Sequence, residues 1–204
     1  MHVLFLTNND IVYPLYQWLI SNGEHVIYSG KRISVYDVEE QNIEFVISYN
    51  YRYIINSDII AKLPARIINM HISYLPWNRG ASPNIFSFLE GTPAGISIHE
   101  VSLGLDKGDI LAQEQLTFDY DTETLRSSYE RSHKAIQNLF CLNWEKIKSG
   151  KLCPQKQVGE GSYHRSQELD PYKEILDYND SISSFLRKAQ PIYKQLHNGI
   201  ICPQ

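Results

Sequence analysis

The 204-residue chain is short of several things, and each shortage removes a class of function. No stretch approaches the ~18 consecutive apolar residues of a membrane span, although 43% of the residues are hydrophobic. No membrane partner is therefore expected. Cysteine is scarce: Cys141, Cys153 and Cys202 are scattered and odd in number. With no CxxC or Cys/His spacing they suggest neither a disulfide framework nor a metal site, and free thiols suit a reducing compartment. Lys and Arg number 19 against 23 Asp and Glu, a net charge of −4 with no basic block. That argues against nucleic acid as a partner. The turn after the first apolar run, Thr7-Asn8-Asn9-Asp10, lacks G-x-G-x-x-G, so nicotinamide chemistry is not expected. Met1-His2-Val3 opens directly into a strand pattern, so no leader is read there and the cytoplasm is the expected location. Repeats and low-complexity tracts are also lacking. The length suits one domain with a sizeable core and a small appendage.

What is present reads as an α/β protein. Val3 to Leu6 is a continuous apolar run, as a buried parallel strand requires. Asp10 is placed to cap a helix carrying Val12, Leu15, Trp18 and Leu19, which ends at Gly23. Glu24 to Tyr28 is the second strand, and this β-α-β opening predicts a Rossmann-like, doubly wound, mainly parallel sheet flanked by helices. Gly30 to Glu40 is read as a short polar connection. Phe45 to Tyr49 is the third strand by its β-branched and aromatic content, and Ser57-Asp58 caps a short helix of Ile59, Ile60 and Leu63. A long helix capped by Asp121 or Thr122 and ending at Gly150 carries Leu125, Tyr129, Ile136, Leu139, Phe140 and Ile147 as its core stripe. His133, in that helix, is expected at or near the surface. Residues 1–150 are read as the catalytic domain. Residues 151–204 are read as a C-terminal extension that binds substrate or makes a homodimer, with Pro171 and Pro191 as breaks between amphipathic pieces.

The chemistry concentrates between Ile67 and Gln113. Asn69 and His71 alternate along one extended segment and so share a face. A loop rich in Pro, Asn, Gly and aromatics follows, then a helix ending at Gly91, a strand from Gly95 to His99, and the turn Gly104 to Asp109. Asn and protonated His can hold an oxyanion, and Asp106 can charge the imidazole or accept a proton, which makes a plausible acyl-transfer site. Taken singly, each residue suits an ordinary turn, cap or core role. Asp109 competes with Asp106, and His99, on a strand, is placed outside the catalytic set.

Asn69-x-His71-x-Ser73-x-Leu75-Pro76, Arg79-Gly80 and Leu105-Asp106-x-Gly108-Asp109-Ile110 together resemble the signature of the folate-dependent formyltransferases. In that family an Asn, a His and an Asp about 35 residues on form the catalytic triad, and the spacing from His71 to Asp106 matches. The likeness covers roughly the first three quarters of the chain. Gly161-Ser162-Tyr163-His164-Arg165 resembles an element of the sugar-nucleotide N-formyltransferases within the family. The Gly-rich phosphate turn of the purine-pathway members is missing after the first strand. The tail is also too short and too weakly basic for the β-barrel of methionyl-tRNA formyltransferases. The resemblance implies formyl transfer from 10-formyltetrahydrofolate to the amine of a UDP- or dTDP-linked 4-amino-4,6-dideoxy sugar for cell-surface glycan synthesis, with no metal. It implies Asn69, His71 and Asp106 as catalytic residues, and Arg52, Ile54, Gly104 and Leu105 around the pterin. For the acceptor, Trp77 offers a stacking face and Arg79 a fork for two phosphate oxygens, while Tyr163 stacks on a base or packs on the core. The alternatives are a formyltetrahydrofolate hydrolase, with water as acceptor, and a non-catalytic folate- or nucleotide-binding module.

Overall fold

The computed structural model describes residues 1–197 together with Ile200 and Cys202. Its elements follow in the order β1 (His2–Leu6), α1 (Tyr13–Ser21), β2 (His25–Ser29), α2 (Val35–Glu40), β3 (Phe45–Tyr49), α3 (Ser57–Lys62) and β4 (Ile67–His71). Then come β5 (Arg79–Gly80), α4 (Pro83–Glu90), β6 (Gly95–Glu100), β7 (Ile110–Gln115), α5 (Leu125–Lys148), β8 (Tyr163–His164) and α6 (Ile182–Leu196). Six strands form one sheet in the order β2-β1-β3-β4-β6-β7, and β5 pairs with β8 in a separate ribbon. The pairs β1–β2, β1–β3 and β3–β4 are parallel, while β4–β6 is antiparallel. This is the mainly parallel, Rossmann-like sheet flanked by helices that the opening β-α-β pattern predicts.

The chain divides into two compact units. The first holds Met1–His71, Ser97–Ala112 and Ile136–Gln157. The second holds Ile72–Ile96, Gln113–Ala135 and the residues from Val158 onward. In the first, Leu4, Leu6, Val46 and Ile67 pack with Ile33, Val38, Ile43, Ile55 and Ile59. Every residue of β3 is buried, as expected for a strand covered on both faces. In the second, Ile85, Phe88 and Leu89 of α4 meet Leu125, Ile182, Phe185 and Tyr172.

Local chemistry corrects several sequence expectations. The cap before α1 is Asn9, not Asp10: its side chain accepts from the Ile11 N–H and starts a 3-10 turn, Asp10–Val12. The α3 N-cap is Asn56, without a side-chain bond. The Thr124 hydroxyl accepts from the Ser127 N–H at 3.0 Å, so α5 is capped there rather than at Asp121 or Thr122. The polar connection from Gly30 to Glu40 folds into α2, because Ser34 and Asp37 form a reciprocal capping box ahead of the buried Val38. Pro191 does not break α6. Proline inside a helix costs about 3 kcal/mol, but the buried face of Phe185, Leu186, Ala189 and Tyr193 continues on both sides of this exposed position. His133 is 1% exposed, and burial holds its pKa down to about 4. The α5 stripe also includes Trp144, which is fully buried.

Candidate active site

The site starts from strand geometry. Asn69 is the middle residue of β4 and His71 the last, so their side chains leave the same face. Across the antiparallel pair, Asn69 lies opposite His99 of β6, which adds a second imidazole to that face. Asp106 arrives from the turn after β6 in a left-handed conformation, φ +52°. Asn69 Nδ2 donates to Asp106 Oδ1 at 3.1 Å and lies 3.2 Å from His99 Nε2. His71 Nε2 is 3.8 Å from Asp106 Oδ2, and His99 Nε2 is 3.4 Å from Oδ1. The two imidazole rings stand nearly perpendicular, with centroids 6.5 Å apart. His71, His99 and Asp106 are all buried.

Two features hold Asp106 in place. Gln157 Nε2 donates to the carbonyls of Asp106 and Gly108, at 2.7 and 2.8 Å. A Cβ on Gly108 would sit 1.6 Å from the Glu100 carbonyl oxygen, so only glycine lets the turn fold this closely. Asp109 pairs with Lys156 at 2.8 Å, which gives it a partner of its own. His99 Nδ1 lies 2.8 Å from the Glu100 carbonyl oxygen and can only donate to it, which leaves Nε2 facing Asn69 and Asp106. Burial, with Asp109 nearby, raises the pKa of the Glu100 carboxyl, and Lys156 opposes the shift.

The other sequence candidates are divided between the two units. Gly104 and Leu105 precede Asp106 in the same turn, with Gly104 at φ +104° and Leu105 45% exposed. Arg52 and Ile54 lie on the loop after β3. The Arg52 N–H donates to Asn8 Oδ1 at 3.0 Å, and Ile54 is 76% exposed rather than part of the core. Trp77, Arg79 and Tyr163 belong to the second unit, where Arg79 and Tyr163 are strand partners. The Tyr163 ring lies over Gly80, where an added Cβ would come 3.0 Å from it. Arg79 Nη1 donates to the Glu160 carbonyl at 3.2 Å, so the guanidinium also shapes its own loop. Asn78, the preceding residue, is fully buried and donates through Nδ2 to Thr92 Oγ1 at 2.8 Å.

Sequence reasoning missed His99 and Gln157. The β4–β6 register brings in the first, and no local pattern announces register. The second acts from about 50 residues away in the chain, with no motif of its own. Among the described residues no group of three or more His, Cys, Asp or Glu is placed to hold a metal ion, and no helix is long and apolar enough to cross a membrane.

An amide, two imidazoles and a carboxylate meet on one face of a mainly parallel α/β sheet, a set able to donate hydrogen bonds and to accept a proton. A family profile described as formyl transferase matches residues 31–142, and the chain belongs to that family. Its structure is similar to that of the formyltransferase PseJ from Anoxybacillus kamchatkensis, solved in complex with UDP-4,6-dideoxy-4-formamido-L-AltNAc and tetrahydrofolate. The two are 37% identical with a TM-score of 0.85, over 93% of this chain and 100% of that one. A dTDP-4-amino-4,6-dideoxyglucose formyltransferase of Mycobacterium bovis is 27% identical over 163 residues, covering 76% of this chain and 68% of the relative. A methionyl-tRNA formyltransferase of Finegoldia magna is 38% identical over 87 residues, only 28% of its length.

Proposed function

We propose that the protein transfers the formyl group of 10-formyltetrahydrofolate to the amine of a nucleotide-linked 4-amino-4,6-dideoxy sugar, in the cytoplasm, for cell-surface glycan synthesis. The observation that carries this reading is the Asn69–His71–Asp106 cluster at 3.1–3.8 Å, in a chain similar along nearly its whole length to a UDP-sugar formyltransferase. That likeness favours UDP over dTDP as the nucleotide.

The neutral amine attacks the formyl carbon, and negative charge gathers on the formyl oxygen. Asn69 Nδ2 and the His71 imidazolium donate to that oxygen; losing one such donor costs about 3 kcal/mol, roughly a hundredfold in rate. Asp106 supplies the counter-charge for the imidazolium and takes the amine proton through water. The bond to the donor nitrogen then breaks, and that nitrogen takes up a proton. For the donor, Ile54 and Leu105 present exposed aliphatic faces suited to a flat heterocycle, with Arg52 and Gly104 beside them. For the acceptor, Trp77, Arg79 and Tyr163 supply stacking surfaces and a cation. Residues 151–204 serve as an extension that shapes the acceptor loop through Tyr163.

The test is a panel of UDP- and dTDP-linked amino sugars incubated with 10-formyltetrahydrofolate and read by mass. The expected result is gain of one formyl group on a UDP-linked 4-amino sugar. Formate release without gain by any sugar would indicate the hydrolase instead, and no reaction at all would leave only a binding module.

A further inference from the structure

The second unit contains a histidine–carboxylate cluster separate from the Asn69–His71–Asp106 cluster. His164, 5% exposed, ends β8, and its ring lies flat on Phe86 of α4 with centroids 3.9 Å apart. Nδ1 is 3.1 Å from Glu168 Oε2, on the 3-10 segment Ser166–Ile175. Nε2 is 3.3 Å from Glu90 Oε2, the last residue of α4, in an ion pair without hydrogen-bond geometry. Burial opposes charge on the ring, but the two carboxylates outweigh it and hold the imidazole above its ordinary 6.5. The other titratable groups on the walls of the adjoining cavity, of about 330 Å³, are Tyr172, Tyr193 and His197. Burial pushes Tyr172 up to about 12 and raises Tyr193 as well, so both phenols stay neutral while the imidazole titrates. Arg165, next in the chain, is exposed, and its backbone N–H donates to Glu168 Oε1.

The strand that ends at His164 also holds the loop after the catalytic histidine. Arg79 pairs with Tyr163 and Gly80 with His164. The Ala81 N–H donates to the His164 carbonyl and the Arg79 N–H to the Ser162 carbonyl, both at 3.0 Å. The Asn78 N–H donates to Ser162 Oγ at 2.8 Å. The contact leaves no slack: a Cβ on Gly80 would lie 2.3 Å from the His164 carbonyl, and one on Gly161 2.0 Å from the Pro76 carbonyl. Moving the backbone of His164 therefore moves the loop that carries Trp77 and Arg79.

We propose that His164, clamped between Glu90 and Glu168 and stacked on Phe86, is a positioning residue for that loop. Loss of its proton leaves two carboxylates facing an uncharged ring, loosens β8 and weakens acceptor binding. The kinetic consequence rests on the reading of Trp77 and Arg79 as acceptor contacts, so two measurements keep the claims apart.

The first needs no substrate. Amide shifts of Arg79, Gly80 and Ala81 are followed by NMR alongside the His164 ring, from about pH 6 to about pH 9. The amides should share the midpoint of the ring. Glu168→Gln should lower that midpoint, and the cavity-wall control His197→Gln should leave it in place. Flat amides, or a midpoint untouched by Glu168→Gln, overturn the proposal. The half-exposed Glu168 keeps the test open even where His164→Gln misfolds. In the second, the KM for the UDP-linked amino sugar should rise with pH while the KM for the formyl donor stays constant. His164→Gln should give an acceptor KM about tenfold higher than wild type at low pH, with no further dependence. Equal rises in both KM values also overturn the proposal. Amides that titrate beside a constant acceptor KM overturn the reading of Trp77 and Arg79, and with it the kinetic half.

Discussion

In the first unit two imidazoles, His71 and His99, share one carboxylate; in the second, one imidazole, His164, is shared by two. Neighbouring charges decide what each arrangement can do. In the Asp106 cluster one carboxylate serves two imidazoles, so it can counter the charge of only one of them at a time. Two carboxylates around His164 hold a proton in place. The first arrangement suits proton movement and the second suits fastening. A histidine with acidic neighbours is therefore not by itself a catalytic signature: the ratio of bases to carboxylates, and what else the strand holds, separate the two cases.

The largest expected effects break the first cluster. Asn69→Ala and Asp106→Asn should each lower kcat by about a hundredfold or more in steady-state formyl transfer, with little change in either KM. If Asp106→Asn raised only the acceptor KM, the roles of the two clusters would be reversed. A smaller and sharper contrast uses the two tight turns. Gly108→Ala pushes against the Glu100 carbonyl and should shift Asp106, cutting kcat by about tenfold to a hundredfold. Gly161→Ala, at φ +65° and against the Pro76 carbonyl, should instead raise the acceptor KM. Identical kinetic signatures for the two variants would erase the distinction.

The smallest effect concerns stability, where the units are opposed in pH. Glu24 in the first unit is buried and accepts from Trp144 Nε1, Lys148 Nζ and the Met1 amine. Burial opposes its charge, but these donors outweigh it and lower the pKa below 4.5. Its contribution is therefore present above pH 4.5 and lost as the pH falls through the lowered value. The His164 contribution runs the other way, present below 6.5 and lost as the pH rises through its raised value. Glu24→Gln should cost about 2 kcal/mol at neutral pH and flatten the acid limb of thermal unfolding. His164→Gln should flatten only the alkaline limb.

Much of this was legible in the residues. The apolar runs at Val3–Leu6 and Phe45–Tyr49 identified buried strands, and the period-two placement of Asn69 and His71 put them on one face. The spacing to Asp106 was legible through the family likeness. What stayed hidden depends on pairing at a distance. His99 joins the site because β6 runs antiparallel to β4 in one register, and a shift of one residue would point it away. Gln157 and His164 act through partners that no local pattern links to them. Caps were misplaced by one to three residues because Asn9, Asp10, Thr122 and Thr124 are all competent and only the backbone path selects among them. The shortness of the connection before β3 concealed α2, whose capping box was nonetheless present in Ser34 and Asp37.

In the proposed reaction the amide–imidazole–carboxylate cluster on β4 and the Asp106 turn performs the formyl transfer. Single-turnover transfer from 10-formyltetrahydrofolate to a UDP-linked 4-amino sugar, in wild type and His71→Ala with matched thermal unfolding, tests it most directly. The rate should be lower by about a hundredfold or more in the variant, with donor and acceptor affinities nearly unchanged. A His71→Ala protein that transfers at near the wild-type rate would contradict it.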